Sequence, residues 1–154
     1  MATPEEQIKF TLDTINHVKA VQYFMEQVVV ELVKRARVHD VSKLNPPEWD
    51  GYAQMIAELK GLEYNSPAYR VVLQGHSDVV RHHYQANDHH PEHFAEGIAE
   101  MNLIQIVEMF CDWKAASMRN SGTLVDSLES SCNRFGIDGL LGKIFVNTVR
   151  DLQW

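Results

Sequence analysis

Cysteine is scarce in this chain: Cys111 and Cys132 are the only two, and they form no CxxC pair. Each lies in an apolar, helix-like stretch where a thiol behaves as a small hydrophobe, which implies a reducing, cytoplasmic compartment. Long apolar runs are lacking as well. None approaches the ~18 residues of a membrane span, and the opening MATPEEQIKF carries acids where a signal peptide has bases. A soluble, intracellular protein without membrane attachment is expected. Basic residues are in deficit, 14 Lys and Arg against 21 Asp and Glu for a net charge of -7. That disfavours general nucleic-acid binding, which needs clustered cations, and leaves room for a local pocket for a small anion. No stretch alternates as a strand does, and there is no internal repeat, low-complexity linker, domain boundary or Gly-rich phosphate loop.

What is present is the size and balance of one globular domain. With 154 residues, 45% hydrophobic and 23% charged, the chain buries roughly two-thirds of its unfolded surface without a metal staple, so a metal would serve chemistry. Thr3-Pro4-Glu5-Glu6 is a capping box with proline in the first helical position. Behind it, Ile8, Leu12, Ile15, Val18, Val21, Met25, Val29 and Leu32 step by three and four, to about Arg37. Pro46-Pro47-Glu48 opens a second helix, PEWDGYAQMIAELKG, which closes at Gly61. After the loop LEYNSP, Ser66-Pro67 starts a third, roughly Ala68 to Ala86, and Asn87-Asp88 ends it. Ile98 to about Ser117 is apolar on much of its circumference and is expected to be the most buried helix. Beyond the loop Asn120-Ser121-Gly122, the segments Leu124–Arg134 and Asp138–Leu152 complete an all-α, single-domain bundle of about six helices.

Histidine is abundant and crowded. Six of the eight, His76, His82, His83, His89, His90 and His93, fall within HSDVVRHHYQANDHHPEH. Neutral imidazole is the commonest ligand for borderline transition metals, and a ring buried on an apolar helix must find a partner. A metal site answers both conditions; the plainer alternative is a solvated, histidine-rich helix end. The dipeptide His39-Asp40 in VHDVSK, with His17 and with Asp112 in EMFCDWK, favours the metal. His76 and His83 are seven apart, on nearly one helix face, one of His82 and His83 should point inward, and His89-His90 sits at a helix junction. Spacing leaves His17 open. It precedes His39 by 22 residues without an intervening Gly or Pro, which is about 33 Å along one straight helix.

A hydrolytic centre needs neutral nitrogen donors, a carboxylate to lower the charge or bridge two ions, and an open position for water. Asp40 suits the bridge, because one backbone corner delivers it together with His39. Lys43, three residues on, is placed to meet a substrate phosphate or leaving oxygen, or else is merely solvated; Arg119 is a second candidate for substrate contact. Glu108 and Asp112 stand four apart on one helix face and require a cation, a donor or a proton, which Lys114 and Arg119 could otherwise supply.

The pattern His17, His39-Asp40, His83, His89-His90, Asp112 resembles the HD-domain superfamily of metal-dependent phosphohydrolases. HDVSK is similar to the HDxGK segment of the HD-GYP phosphodiesterases and HHPE to their HHE, but Ser42 stands where glycine is usual and the GYP triplet is missing. HDVSKLNPPE, HHYQANDHHPEHF, VEMFCDWKAAS and FVNTVRDL resemble more closely a family of small uncharacterised bacterial and phage proteins of HD type, over nearly the whole chain. The resemblance implies an HD-like helical fold and two divalent ions on His17, His39, Asp40, His83, His89 and Asp112. It makes His90 a ligand or a supporting partner, leaves His76, His82 and His93 at the surface or in support, and requires the first helix to break or bend so that His17 can join.

Three functions fit. The leading one is a phosphohydrolase, a nucleotidase or phosphodiesterase, acting through iron or manganese, with nickel or zinc acceptable, on a nucleotide or related small phosphate ester; Asp40 and Lys43 are its catalytic candidates. The others are a dinuclear iron oxygenase of the same superfamily and a non-enzymatic protein that binds a nucleotide or a partner. Homo-oligomerisation is left open. The substrate is not written in the sequence, since Tyr52, Tyr64, Tyr84, Trp49 and Trp113 serve equally as core aromatics or stacking platforms.

Overall fold

The computed structural model describes residues 1–63, 66–118 and 123–154, and among these it contains seven α-helices and no strand. Tyr64, Arg119 and the Asn120-Ser121-Gly122 loop lie outside the described residues. The chain divides into two units, Met1–Arg37 and Val38–Trp154.

The first unit is almost entirely α1 (Pro4–Val38). Its start follows from the capping box: the Thr3 amide donates to Glu6 Oε2 at 2.7 Å, and the Glu6 amide donates to Thr3 Oγ1 at 3.3 Å. Acids in the first turn, Glu5 and Glu6, and bases in the last, Arg35 and Arg37, complement the helix dipole. The helix runs unbroken. No break interrupts it, since no Gly or Pro follows Pro4 in the helix.

The second unit holds α2 (Glu48–Leu59), α3 (Pro67–Gly75), α4 (Ser77–Ala86), α5 (Leu103–Ser117), α6 (Leu124–Phe135) and α7 (Gly139–Leu152), with 3-10 turns at Val41–Leu44, Pro91–His93 and Gly97–Glu100. The single helix expected over Ala68–Ala86 is two. His76, after the weak helix former Gly75, has φ -104° and ψ 17°, and its ring Nε2 lies 3.1 Å from Glu58 Oε2. The helix expected from Ile98 begins at Leu103, where Asn102 accepts from the amides of Ile104 and Gln105 while the Gln105 side chain accepts from the Asn102 amide.

The apolar core joins α5, α6 and α7: Met109, Phe110, Leu124, Leu128, Phe145 and Val149 are buried there together with Met101. Phe110 stacks on Phe145 with centroids 4.7 Å apart. Each such side chain contributes roughly 1.5–3 kcal/mol by leaving water. α2 and α4 meet where Gly51 leaves space for Val79; a Cβ on Gly51 would lie 2.9 Å from Val79 Cγ1 and closer still to Cγ2. No helix among the described residues is long and apolar enough to cross a membrane.

Candidate metal centre

His39 and Asp40 form the corner that enters the Val41–Leu44 turn. Asp40 has φ 57° and ψ 13°, a left-handed conformation that aspartate tolerates better than most residues because its short polar side chain bonds locally. Its carboxylate becomes the hub of the cluster. Oδ1 lies 3.3 Å from His83 Nε2 and 3.5 Å from His89 Nε2, while Oδ2 lies 3.7 Å from His39 Nε2 and accepts from Lys43 Nζ at 2.5 Å.

Each of the three rings around Asp40 turns Nε2 toward it and Nδ1 toward a second carboxylate. His83, buried on α4, places Nδ1 2.9 Å from Oε2 of Glu48, which is 0% exposed. His39 places Nδ1 2.9 Å from Glu108 Oε1, and His89 places Nδ1 3.4 Å from the same oxygen. A carboxylate on Nδ1 fixes the tautomer and turns the Nε2 lone pair outward, the arrangement that holds metal-binding histidines. His90 joins from the helix junction with Nε2 2.9 Å from His83 Nε2, close to the roughly 3 Å expected of adjacent nitrogens on one ion at about 2.1 Å. Asp112, one turn beyond Glu108 on α5, brings Oδ1 to 3.6 Å from His39 Nε2.

These donors fall into groups that could hold a metal ion: Asp40 with His83, His89 and His90; His39 with Asp40 and Asp112; and His39 with His89 and Glu108. An independent feature agrees with a cation. Asp40 Oδ1 and His89 Nε2 are buried and have no hydrogen-bond partner, a costly state that a cation between them would remove.

The charges point the same way. The Asp112 and Glu108 carboxylates, which accept from the protonated ring, raise His39 to about 10 with help from the Asp40 charge and against the desolvating effect of burial, so the carboxylates demand a positive charge here. Burial lowers His90 to about 3, with the neighbouring His89 and His83 adding to the effect. Burial and the His39 charge lower His89 as well. Both rings are held neutral, as metal ligands must be. Burial would raise Asp40 and Asp112, but the neighbouring His83 ring, the Lys43 bond and the Lys43 and His39 charges hold the first below its ordinary range, and His39 holds the second.

Residues 6–148 match the model of a family of unknown function, DUF5662. The chain belongs to that family. No curated protein and no solved structure matches it. The match spans every candidate ligand from His17 to Asp112, so the donor cluster lies within the part of the chain that defines DUF5662.

His39, Asp40, His83, His89, His90 and Asp112 are thus brought together, and among the described residues no metal-capable group includes His17, which is exposed on α1. Arg119 is outside the described residues. Lys43 is paired with Asp40 and lies over the Tyr52 ring at 5.4 Å. His76 pairs with Glu58, His82 Nδ1 lies 2.8 Å from Glu48 Oε1, and His93 Nδ1 lies 3.0 Å from the Tyr84 carbonyl.

Two residues escaped sequence reasoning. Glu48 reads as an ordinary helix-opening acid, yet it receives His82, His83 and the Ser42 hydroxyl. Ser42, in the position where the HD-GYP motif has glycine, donates to Glu48 at 2.9 Å and accepts from Asn87 at 2.8 Å, so its hydroxyl helps to fix the His83 support. Glu108 was visible as the neighbour of Asp112, but its hold on two histidines was not.

Proposed function

We propose that the chain is a metal-dependent phosphohydrolase with an HD-like fold, acting on a small phosphate ester at two divalent ions held by His39, Asp40, His83, His89, His90 and Asp112. The observation that carries this reading is the place of Asp40, common to the His83–His89–His90 group and to the group of His39 and Asp112. A carboxylate with one oxygen toward each group is suited to sharing two cations, and mixed imidazole and carboxylate donors accept iron or manganese, with nickel and zinc competing. When bound, such ions supply Lewis acidity and a water acidic enough to attack phosphorus near neutral pH.

The chain's own groups arrange the rest. Glu48 and Glu108 keep the imidazoles turned toward the centre, and burial keeps His89 and His90 neutral. Lys43 balances Asp40 and, once cations take over that role, offers its ammonium to a substrate oxygen. In the reaction the water oxygen bonds to phosphorus, the ester P–O bond breaks, and a proton passes to the departing alcohol. The free thiols of Cys111 and Cys132 suit a reducing cytoplasm.

The test is a panel of phosphate monoesters, nucleotides and cyclic dinucleotides given to protein reconstituted with manganese or iron. Phosphate or alcohol release from at least one, lost in His39→Ala, is the expected result. No release, or an equal rate in His39→Ala, overturns the reading, and dioxygen uptake without phosphate release replaces it with an oxygenase.

A further inference from the structure

Beside the metal-capable cluster lies a cavity of about 540 Å³, walled by α5 and α6. Its inner end is formed by His90 and Asp112, so it is continuous with the centre. Trp113 forms part of the wall, and Arg134 is the one cationic Lys or Arg among the described lining residues.

Two hydroxyls of this wall have a defined polarity. Ser117 donates to the Lys114 carbonyl at 2.8 Å, and Ser127 donates to the Leu124 carbonyl at 2.9 Å. A hydroxyl has one proton and two lone pairs, so each of these oxygens, its proton committed to the helix, can only accept from a ligand. Phosphate oxygens at neutral pH are chiefly acceptors and are mismatched to these two oxygens; the hydroxyls of a sugar or polyol are matched to them, and Thr123, Ser130 and Ser131 add further hydroxyls to the lining. Arg134 has the opposite polarity. Its Nη2 donates to Glu92 Oε1 at 2.7 Å and lies 3.5 Å from the Tyr84 hydroxyl, and the Tyr84 ring is 5.0 Å from that of His90. A guanidinium held there is suited to an anion that lies at the His90 end. Among the described lining residues there is no Asn or Gln to read the edge of a nucleobase.

We propose that this cavity seats the organic part of the substrate and takes a phosphate monoester of a pentose-sized sugar or polyol. Substrate hydroxyls donate to Ser117 and Ser127, and the phosphate lies toward Arg134, His90 and Asp112. The assignment rests on the phosphate-ester reading of the centre given above.

Binding can be separated from turnover by using non-hydrolysable phosphonate analogues. Calorimetry on manganese-reconstituted protein would compare the analogues of ribose 5-phosphate, 2-deoxyribose 5-phosphate and adenosine 5′-monophosphate. The ribose analogue should bind about tenfold tighter than the deoxy analogue, the worth of a hydrogen bond, and the adenosine analogue no tighter than ribose. Ser117→Ala with Ser127→Ala should abolish the preference without changing manganese content, and alanine favours the helix, so the fold is spared. Absence of binding, equal affinity for ribose and deoxyribose, a preference retained in the double variant, or a tenfold gain from adenine would each overturn the proposal. The expected preference without phosphate release from the parent esters would uphold the pocket and defeat the phosphohydrolase reading.

Discussion

Glu48 Oε2 lies 2.9 Å from His83 Nδ1, and both side chains are withdrawn from solvent. A buried imidazole is thereby given a fixed tautomer and a fixed direction, and the carboxylate is satisfied by His82, His83 and Ser42 together. Glu48→Ala should weaken metal binding 10- to 100-fold, the usual loss when a ligand's supporting carboxylate is removed. It should also cost about 1–3 kcal/mol of stability by leaving His83 unpaired. Competition against a chelator and urea unfolding measure the two effects; unchanged metal affinity would make Glu48 a purely structural acid.

Gly51 gives a test of the packing between α2 and α4. Gly51→Ala gains up to about 1 kcal/mol of helix propensity, but its Cβ runs into Val79, and overpacking of this kind costs roughly 1–3 kcal/mol. A net loss is expected in urea unfolding. In a Val79→Ala background the same substitution should become neutral or stabilising, and a loss of equal size there would show that the contact is not the cause.

The metal-free protein should be most stable near pH 6.5. His39 is raised from 6.5 to about 10 by Asp112, Glu108 and Asp40, so its contribution is fully present below pH 6.5 and is lost as pH rises through about 10. His90 is lowered from 6.5 to about 3 by burial and its histidine neighbours, so stability also falls as pH drops from 6.5 toward 3, where the unfolded chain takes a proton that the folded chain refuses. Urea midpoints of chelator-treated protein across this range check both limbs. His39→Ala should flatten the alkaline one, and a wild-type profile level from neutrality to pH 10 would contradict the assignment.

Much of the helical fold was legible because its signals are local. Thr3 with Glu6, the proline before Glu48, Ser66 with Pro67, and Asp138 each mark a start without reference to the rest of the chain. The division at His76 was not legible, because apolar residues continue in helical step on both sides and Gly75 is only a weak interruption. Within the site, histidine crowding and the His39-Asp40 dipeptide announced the donors. Their supports did not announce themselves: Glu48 lies 35 positions before His83, and Glu108 lies 69 after His39. Pairings that distant come only from the packing of helices. His17 is a different case: its place in the donor pattern calls for α1 to break or bend, and nothing in its local sequence supplies a break.

Asp40 is the single residue on which the account depends, since both proposed ion positions include it. The decisive measurement is elemental analysis of wild type and Asp40→Ala after identical reconstitution with manganese or iron and removal of loosely held metal. About two ions per chain in the wild type and close to none in the variant is the predicted result. Equal metal in the two proteins would contradict a centre built on Asp40.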